Sequence, residues 1–143
     1  MPGYSGAPLP KKLGIKDGFR VALLNAPAEV KSELASSFKK CSLVKLPAES
    51  LDFVFLFAKS RAVLEADLIS AARSLAPSGM LWISWPKRSS GISSDLDENI
   101  VRQRGLNAGL VDIKVCAVTD IWSGLKFVIP VKDRPKSNSA ARV

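Results

Sequence analysis

Residues 52–58, DFVFLFA, and residues 80–85, MLWISW, are two strongly apolar runs that decide the fold class. Each has the length of a β-strand, and such runs are typical of strands that are buried on both faces of a parallel sheet. Between them, apolar residues recur at helical spacing over residues 61–75, and Pro77-Ser78-Gly79 then ends the pattern. This order predicts two parallel strands joined by a right-handed helical crossover.

The segment before these runs predicts a second unit of the same kind. Residues 19–25, FRVALLN, form another apolar run. Within residues 27–38, the apolar residues Val30, Leu34 and Phe38 recur every four positions, which predicts an amphipathic helix. Pro27 suits the first turn of this helix, because the N–H that it lacks would have no partner there. A short strand is predicted over residues 43–46.

The last third of the chain changes from a helical to an alternating period. Serine and acidic residues at 94–98 predict the start of a helix that runs to Ala108, just before Gly109. Residues 111–117 and 125–131 then alternate apolar and polar side chains around a turn that contains glycine. These two strands are expected to form an antiparallel hairpin.

The composition excludes several chemistries. The 143 residues contain no histidine, which rules out Ser-His-Asp or Cys-His catalysis and histidine-ligated metals. Cys41 and Cys116 lie far apart and in no CxxC motif, so we expect both to be reduced and in or near the core. Because no membrane span or signal peptide is evident, a cytoplasmic protein is expected.

The net charge of +8 favours an anionic partner, although part of this charge belongs to the last twelve residues. We expect a small anionic ligand or a protein as partner, and neither nucleic acid nor a membrane. An RNA-binding sheet needs exposed aromatic side chains, whereas Phe53, Phe55 and Phe57 are expected to be buried.

Two resemblances follow from these motifs. The run LDFVFLFAKS at 51–60, the turn LAPSG at 75–79 and the closing hairpin resemble the C-terminal half of class I S-adenosylmethionine-dependent methyltransferases. This resemblance, over roughly residues 19–131, implies a three-layer, Rossmann-like α/β fold. Its mostly parallel sheet would contain about six strands and end in an antiparallel hairpin.

The second resemblance is to a bacterial family of small proteins that is classed only as a domain of unknown function, and it therefore implies no activity. The organisation expected from both is an N-terminal arm over residues 1–18, an α/β domain over 19–131 and a basic, disordered tail over 132–143. The segments that carry the second resemblance are GYSGAPLPKKLGIKDG (3–18), VALLNAP (21–27), LWISWPKRSSG (81–91) and VDIKVCAVTDIWSGLKFVI (111–129).

The cofactor site that the methyltransferase resemblance implies is altered in this sequence. The family has a glycine-rich turn after its first strand, but here residues 25–29 read NAPAE, and Pro27 removes one N–H donor. The family also has an acidic residue at the end of the second strand, where this chain has Lys45, with Glu49 farther along. We therefore predict no cofactor, with S-adenosylmethionine as the alternative.

Ligands of open α/β sheets bind beyond the carboxyl ends of the strands, and the candidate ligand-binding residues come from this rim. Lys87 and Arg88 bring positive charge, and the serines and glycine after them offer hydroxyl and N–H groups that suit a phosphate or carboxylate. The alternative is a polar loop whose serines cap the next helix. The candidates are Asn25, Lys59, Trp85, Lys87, Arg88, Ser89, Ser90, Gly91 and, from the N-terminal arm as a lid, Tyr4.

Three functions remain open at this point. The first is a non-catalytic, methyltransferase-like domain that binds a small anion or a protein through residues 85–91. The second is a divergent S-adenosylmethionine-dependent transferase, in which Asp52, Lys87 or Tyr4 would move protons. The third is a nucleic-acid accessory protein with a basic tail.

Overall fold

The computed structural model describes residues 8–134, in which a six-stranded sheet lies between two layers of helices. The predicted fold class is confirmed. Tyr4 and most of the predicted tail lie outside the described residues. The helices are α1 (Leu9–Leu13), α2 (Ala28–Phe38), α3 (Arg61–Arg73) and α4 (Glu98–Asn107), and the strands are β1 (Arg20–Leu24), β2 (Ser42–Leu43), β3 (Leu51–Phe57), β4 (Leu75–Pro86), β5 (Val111–Ala117) and β6 (Trp122–Val128).

The strand order is β2-β1-β3-β4-β6-β5. Strands β2, β1, β3 and β4 are parallel, whereas β6 runs antiparallel to both of its neighbours. From β1 the chain passes through α2 to β2, towards one edge of the sheet. From β3 it passes through α3 to β4, towards the other edge. The direction of winding therefore reverses between β1 and β3, and this reversal leaves a crevice beyond their carboxyl ends.

One face of the sheet is covered by α3 and α4. Leu64 and Leu68 of α3 pack with Val54 and Leu56 of β3, and all four are buried. The side-chain hydroxyl of Ser60 accepts a hydrogen bond from the Val63 N–H at 3.2 Å and so fixes the start of α3.

The opposite face carries the aromatic residues and is covered by α1 and α2. Phe53, Phe55 and Phe57 are buried there, as predicted, and adjacent rings of this row lie 4.4 to 5.8 Å apart. The indole of Trp82 donates a hydrogen bond to the backbone oxygen of Leu13 at 2.9 Å, which attaches α1 to the centre of the sheet.

Several predicted boundaries are wrong for identifiable reasons. Residues 77–79 lie within β4 instead of ending the helix before it. Helix α3 already ends at Arg73, Leu75 pairs with Leu51, and residues 76–79 form a bulge before pairing resumes at Met80. Strand β2 is shorter than predicted. The predicted alternation in β5 fails at a register shift between Asp112 and Lys114, so that Ile113 and Val115 are exposed by 53% and 45%.

The start of α4 also differs from the prediction. Asp97 caps this helix by accepting a hydrogen bond from the Ile100 N–H at 2.9 Å, and no serine does so. Within residues 8–134, no helix has the length and apolar character needed to cross a membrane.

Candidate functional site

The crevice between the carboxyl ends of β1 and β3 is organised by Asn25. Its backbone has φ 61°, in the left-handed region that asparagine tolerates better than most residues. Its side-chain amide donates to the backbone oxygen of Phe57 and to the carboxylate of Asp67, both at 3.1 Å. Asn25 therefore makes the turn that a glycine would otherwise make, and joins β1 to β3 and α3.

A cleft of about 370 Å³ opens beside Asn25. Lys59 is exposed at this cleft, whereas Trp122, the first residue of β6, is buried and lines its wall. The Trp122 ring packs edge-on against Phe57, with 5.1 Å between the ring centroids. The cleft is lined by Asn25, Pro27, Phe57, Ala58, Lys59, Val63 and Trp122.

The N-terminus of α2 begins at the same cleft and has no side-chain cap. Pro27 accepts the first intrahelical hydrogen bonds, from the N–H groups of Val30 and Lys31 at 3.1 and 3.0 Å. In the described part of the chain, the N–H groups of Ala28 and Glu29 have no acceptor. Two free N–H groups at a helix N-terminus favour an anionic group. Glu29, the acidic residue of this first turn, is exposed and does not line the cleft.

A second cleft, of about 350 Å³, contains the predicted loop. Trp85, Lys87 and Arg88 line it, but so do Asp97 and Glu98 from the start of α4. The helix N-terminus at this cleft is thus capped by a carboxylate and followed by another, and both oppose an incoming anion.

Ser90 is engaged in the turn of its own loop. Ser90 donates its hydroxyl to the backbone oxygen of Lys87 at 2.6 Å and accepts a hydrogen bond from the Ile92 N–H at 3.1 Å. Ser89 and Gly91 are exposed at the same short turn. Ligand binding by these residues stays a prediction.

The structure therefore divides the predicted residues between two clefts. Asn25 and Lys59 line the first, and Trp85, Lys87 and Arg88 line the second. Sequence reasoning missed Asp67, the partner of Asn25, and did not place Trp122 at the rim. No local sequence pattern indicates either position, because Asp67 is distant in sequence from Asn25 and Trp122 is distant from Phe57.

Two acidic residues considered at the sequence level lie away from the rim. Asp52 accepts a hydrogen bond from the Arg20 N–H at 2.8 Å, at the start of β1, and so cannot move protons in either cleft. The backbone oxygen of Glu49 binds the Arg20 guanidinium at 3.1 Å, which places Glu49 at that same end. The carboxyl end of β2 is followed by Val44 and Lys45 and has no acidic residue.

The two cysteines lie near opposite margins of the sheet. Both are free and half-buried, and burial raises the pKa of the Cys41 and Cys116 thiols above the ordinary value. Residues 8–134 contain no cluster of three or more histidine, cysteine, aspartate or glutamate side chains that could hold a metal ion.

Several solved methyltransferase structures are similar to this chain in fold. A SAM-dependent methyltransferase from Aquifex aeolicus aligns with a TM-score of 0.65 and 16% identity over 83% of this chain and 87% of the other. DhpI, in a complex with SAH, aligns with a TM-score of 0.56 and 14% identity over 86% and 83%. A TehB-like SAM-dependent methyltransferase from Corynebacterium glutamicum gives 0.54 and 9% over 83% and 84%.

At these identities the likeness establishes the fold alone. No protein-family model matches the sequence, and no curated protein is similar to it.

Proposed function

We propose that this chain is a divergent S-adenosylmethionine-dependent methyltransferase that binds its cofactor in the cleft between β1 and β3. The observation that carries the proposal is the coincidence of this cleft with the reversal of winding and with the free N–H groups of Ala28 and Glu29. The structural likeness also favours this function over the non-catalytic interpretation.

The residues at the cleft suit the amino-acid end of the cofactor. The free N–H groups of α2 and the Lys59 ammonium group provide donors for a carboxylate. The indole of Trp122 offers an aromatic ring, a group that attracts cations such as a sulfonium. When bound, the cofactor supplies an electrophilic methyl group.

The ribose end is less well served. Lys45 stands where an acidic side chain would accept hydrogen bonds from the ribose hydroxyls, and Glu49 lies at the other end of β1. Affinity for the cofactor should therefore depend mainly on the amino-acid end, and weak binding is expected.

Calorimetric titration with S-adenosylmethionine and S-adenosylhomocysteine, each at up to about 5 mM, tests the proposal, with thermal unfolding as a second readout. Val63→Trp should fill the cleft and raise Kd at least about tenfold, because Val63 lines the cleft from a half-exposed position on α3. Ile69→Trp, on an exposed position of the same helix outside the cleft, is the matched control.

Lys59→Ala should raise Kd by about three- to tenfold, a loss of about 0.7 to 1.4 kcal/mol. Lys87→Ala combined with Arg88→Ala should leave Kd unchanged. The proposal fails if neither compound binds the wild-type chain, or if Val63→Trp binds as well as wild type. Loss of binding in the Lys87 and Arg88 double variant would instead assign the ligand to the second cleft.

A further inference from the structure

A larger groove, of about 620 Å³, lies at the β2 margin of the sheet, between α2 and the outermost strand. Its floor is apolar and is formed by Leu23 of β1, by Ala35 and Phe38 of α2, and by Leu43 and Val44 at the edge. The volume falls in the range of small-molecule sites in proteins.

Three lysines surround this apolar floor. Lys31 and Lys39 come from α2 and Lys45 from the segment after β2, and all three are exposed. Throughout residues 8–134, none of the three side-chain ammonium groups has a hydrogen-bond or ion-pair partner. The acidic residues of α2, Glu29 and Glu33, lie on the opposite side of the helix by its period of 3.6 residues.

The groove is open because β2 is short and forms the edge of the sheet. Leu43 is 62% exposed, and no strand pairs with the outer side of β2 in the described part of the chain. The N–H groups of Ser42 and Val44 donate to the backbone oxygens of Phe19, just before β1, and of Val21, both at 2.8 Å. Leu43 therefore directs its own backbone groups outward.

We infer that this groove binds an anionic amphiphile, a small molecule with an elongated apolar body and one carboxylate or phosphate group. The apolar body would cover Leu43 and the floor, and the anionic group would lie among the three lysine ammonium groups. An uncharged ligand would leave the three lysines without a partner, and a small inorganic anion would leave the apolar floor exposed. A base-stacking ligand is disfavoured, because Phe38, the one aromatic lining residue, is buried.

The groove is separate from the cleft proposed for the cofactor. The two share no lining residue. Only Lys45 takes part in both proposals, since it borders the groove and also follows the strand near which the ribose would lie. Val63→Trp changes the cleft alone and Ala35→Trp changes the groove alone, so failure of one proposal can be distinguished from failure of the other.

Titrations with octanoate, octyl phosphate, octanol and acetate, followed by backbone amide NMR and calorimetry, test the inference. Octanoate or octyl phosphate should bind and shift the amide signals of Ala35 and Leu43. Octanol lacks the charge and acetate lacks the apolar body, so both should bind at least about tenfold more weakly.

Two sets of variants locate the site. Ala35→Trp should abolish octanoate binding by filling the floor, whereas Ser36→Trp, exposed on the outer side of α2, should not affect it. Replacing Lys31, Lys39 and Lys45 together with glutamine should weaken octanoate binding at least about tenfold. The matched control replaces Lys11, Lys16 and Lys132, which removes the same charge from exposed positions elsewhere.

The lysine set decides the matter if Ala35→Trp fails to fold. Equal binding of octanoate and octanol, equal binding of octanoate and acetate, or equal losses in the two lysine sets would each overturn the inference. So would a groove that takes none of these compounds and binds an acidic amphipathic peptide, since that result would assign it to a protein partner.

Discussion

The two outer strands, β2 and β5, end the sheet in opposite ways. Strand β5 pairs with β6 from Val111 to Ala117, apart from the register shift at Ile113. It is also joined to α4 by the ion pair between Arg102 and Asp112, 2.9 Å long. Strand β2 has only two residues, pairs with β1 alone, and leaves Leu43 exposed beside unpaired lysines.

This difference indicates that the β2 margin, more than the β5 margin, can bind a ligand without loss of stability. The β5 margin is held by local antiparallel pairing and by packing of α4, so changes there should affect stability. The β2 margin contributes little burial, so changes there should affect binding. Lysines beside an edge strand also oppose the addition of a strand from another chain. A small ligand can bind at this margin without pairing as a strand.

The largest effect is expected for Gly105→Ala at the β5 margin. Gly105 of α4 is buried against Phe127 of β6, and a methyl group there would overlap the Phe127 ring. We expect a net loss of about 1–3 kcal/mol in the free energy of unfolding, measured by urea denaturation.

The control is Leu106→Ala, at the neighbouring exposed position, with a change within about 0.5 kcal/mol. The overlap must exceed the stabilisation of about 1 kcal/mol that alanine provides in a helix. An unchanged midpoint for Gly105→Ala would contradict the packing of α4 on β6.

A smaller, pH-dependent effect is expected for Asp112→Asn at the same margin. The Arg102 guanidinium lowers the pKa of the Asp112 carboxyl below its ordinary value of 3.8. This pair therefore contributes stability that is present above pH 3.8, and this stability is lost as the pH falls through the pKa of Asp112 in the folded state. Because both groups are partly exposed, the loss at pH 7 should be only about 0.5–1 kcal/mol.

Unfolding at pH 7 and at about pH 2 measures the effect. The difference between wild type and Asp112→Asn should shrink at the lower pH. Asp120→Asn, at an exposed position, is the control and should show little difference at either pH. A constant difference for Asp112→Asn would mean that the carboxylate charge is not the cause.

The smallest effect on stability is expected at the β2 margin. Leu43→Ala should change the free energy of unfolding by less than about 0.5 kcal/mol, because the side chain is already largely in contact with water. The same change should weaken octanoate binding. A loss of stability above about 1 kcal/mol would show that Leu43 is covered, and the contrast between the margins would then fail.

The sequence predicted those elements whose pattern of apolar residues matches the side chains that the fold buries. Phe53, Phe55 and Phe57 occupy alternate positions of β3 that face the same side of the sheet, and α3 repeats its apolar residues at helical spacing. In both elements the local pattern agrees with the environment of the side chains in the fold. The bulge at residues 76–79 and the shift in β5 were not predictable, because each depends on the register against a neighbouring strand.

The candidate site was predictable only as a rim. The order of strands and helices indicated that Asn25 and Lys59 would lie near each other, and both line the first cleft. The same reasoning added Trp85, Lys87 and Arg88, which line a separate cleft together with acidic residues of α4. Charges supplied by a distant segment cannot be found from the composition of a single loop.

By itself, the sequence determined the central parallel strands and the helices that cover them. Hydrophobic burial selects a continuous apolar run for those strands and an apolar stripe at helical spacing for those helices. Only the tertiary structure decided which side chains meet: Asn25 with Asp67, 42 positions away, and Arg102 with Asp112 across α4 and β5. It also decided that α2 would begin without a cap and that β2 would be left short. These features depend on distances between segments, which no local pattern of apolar and polar residues specifies.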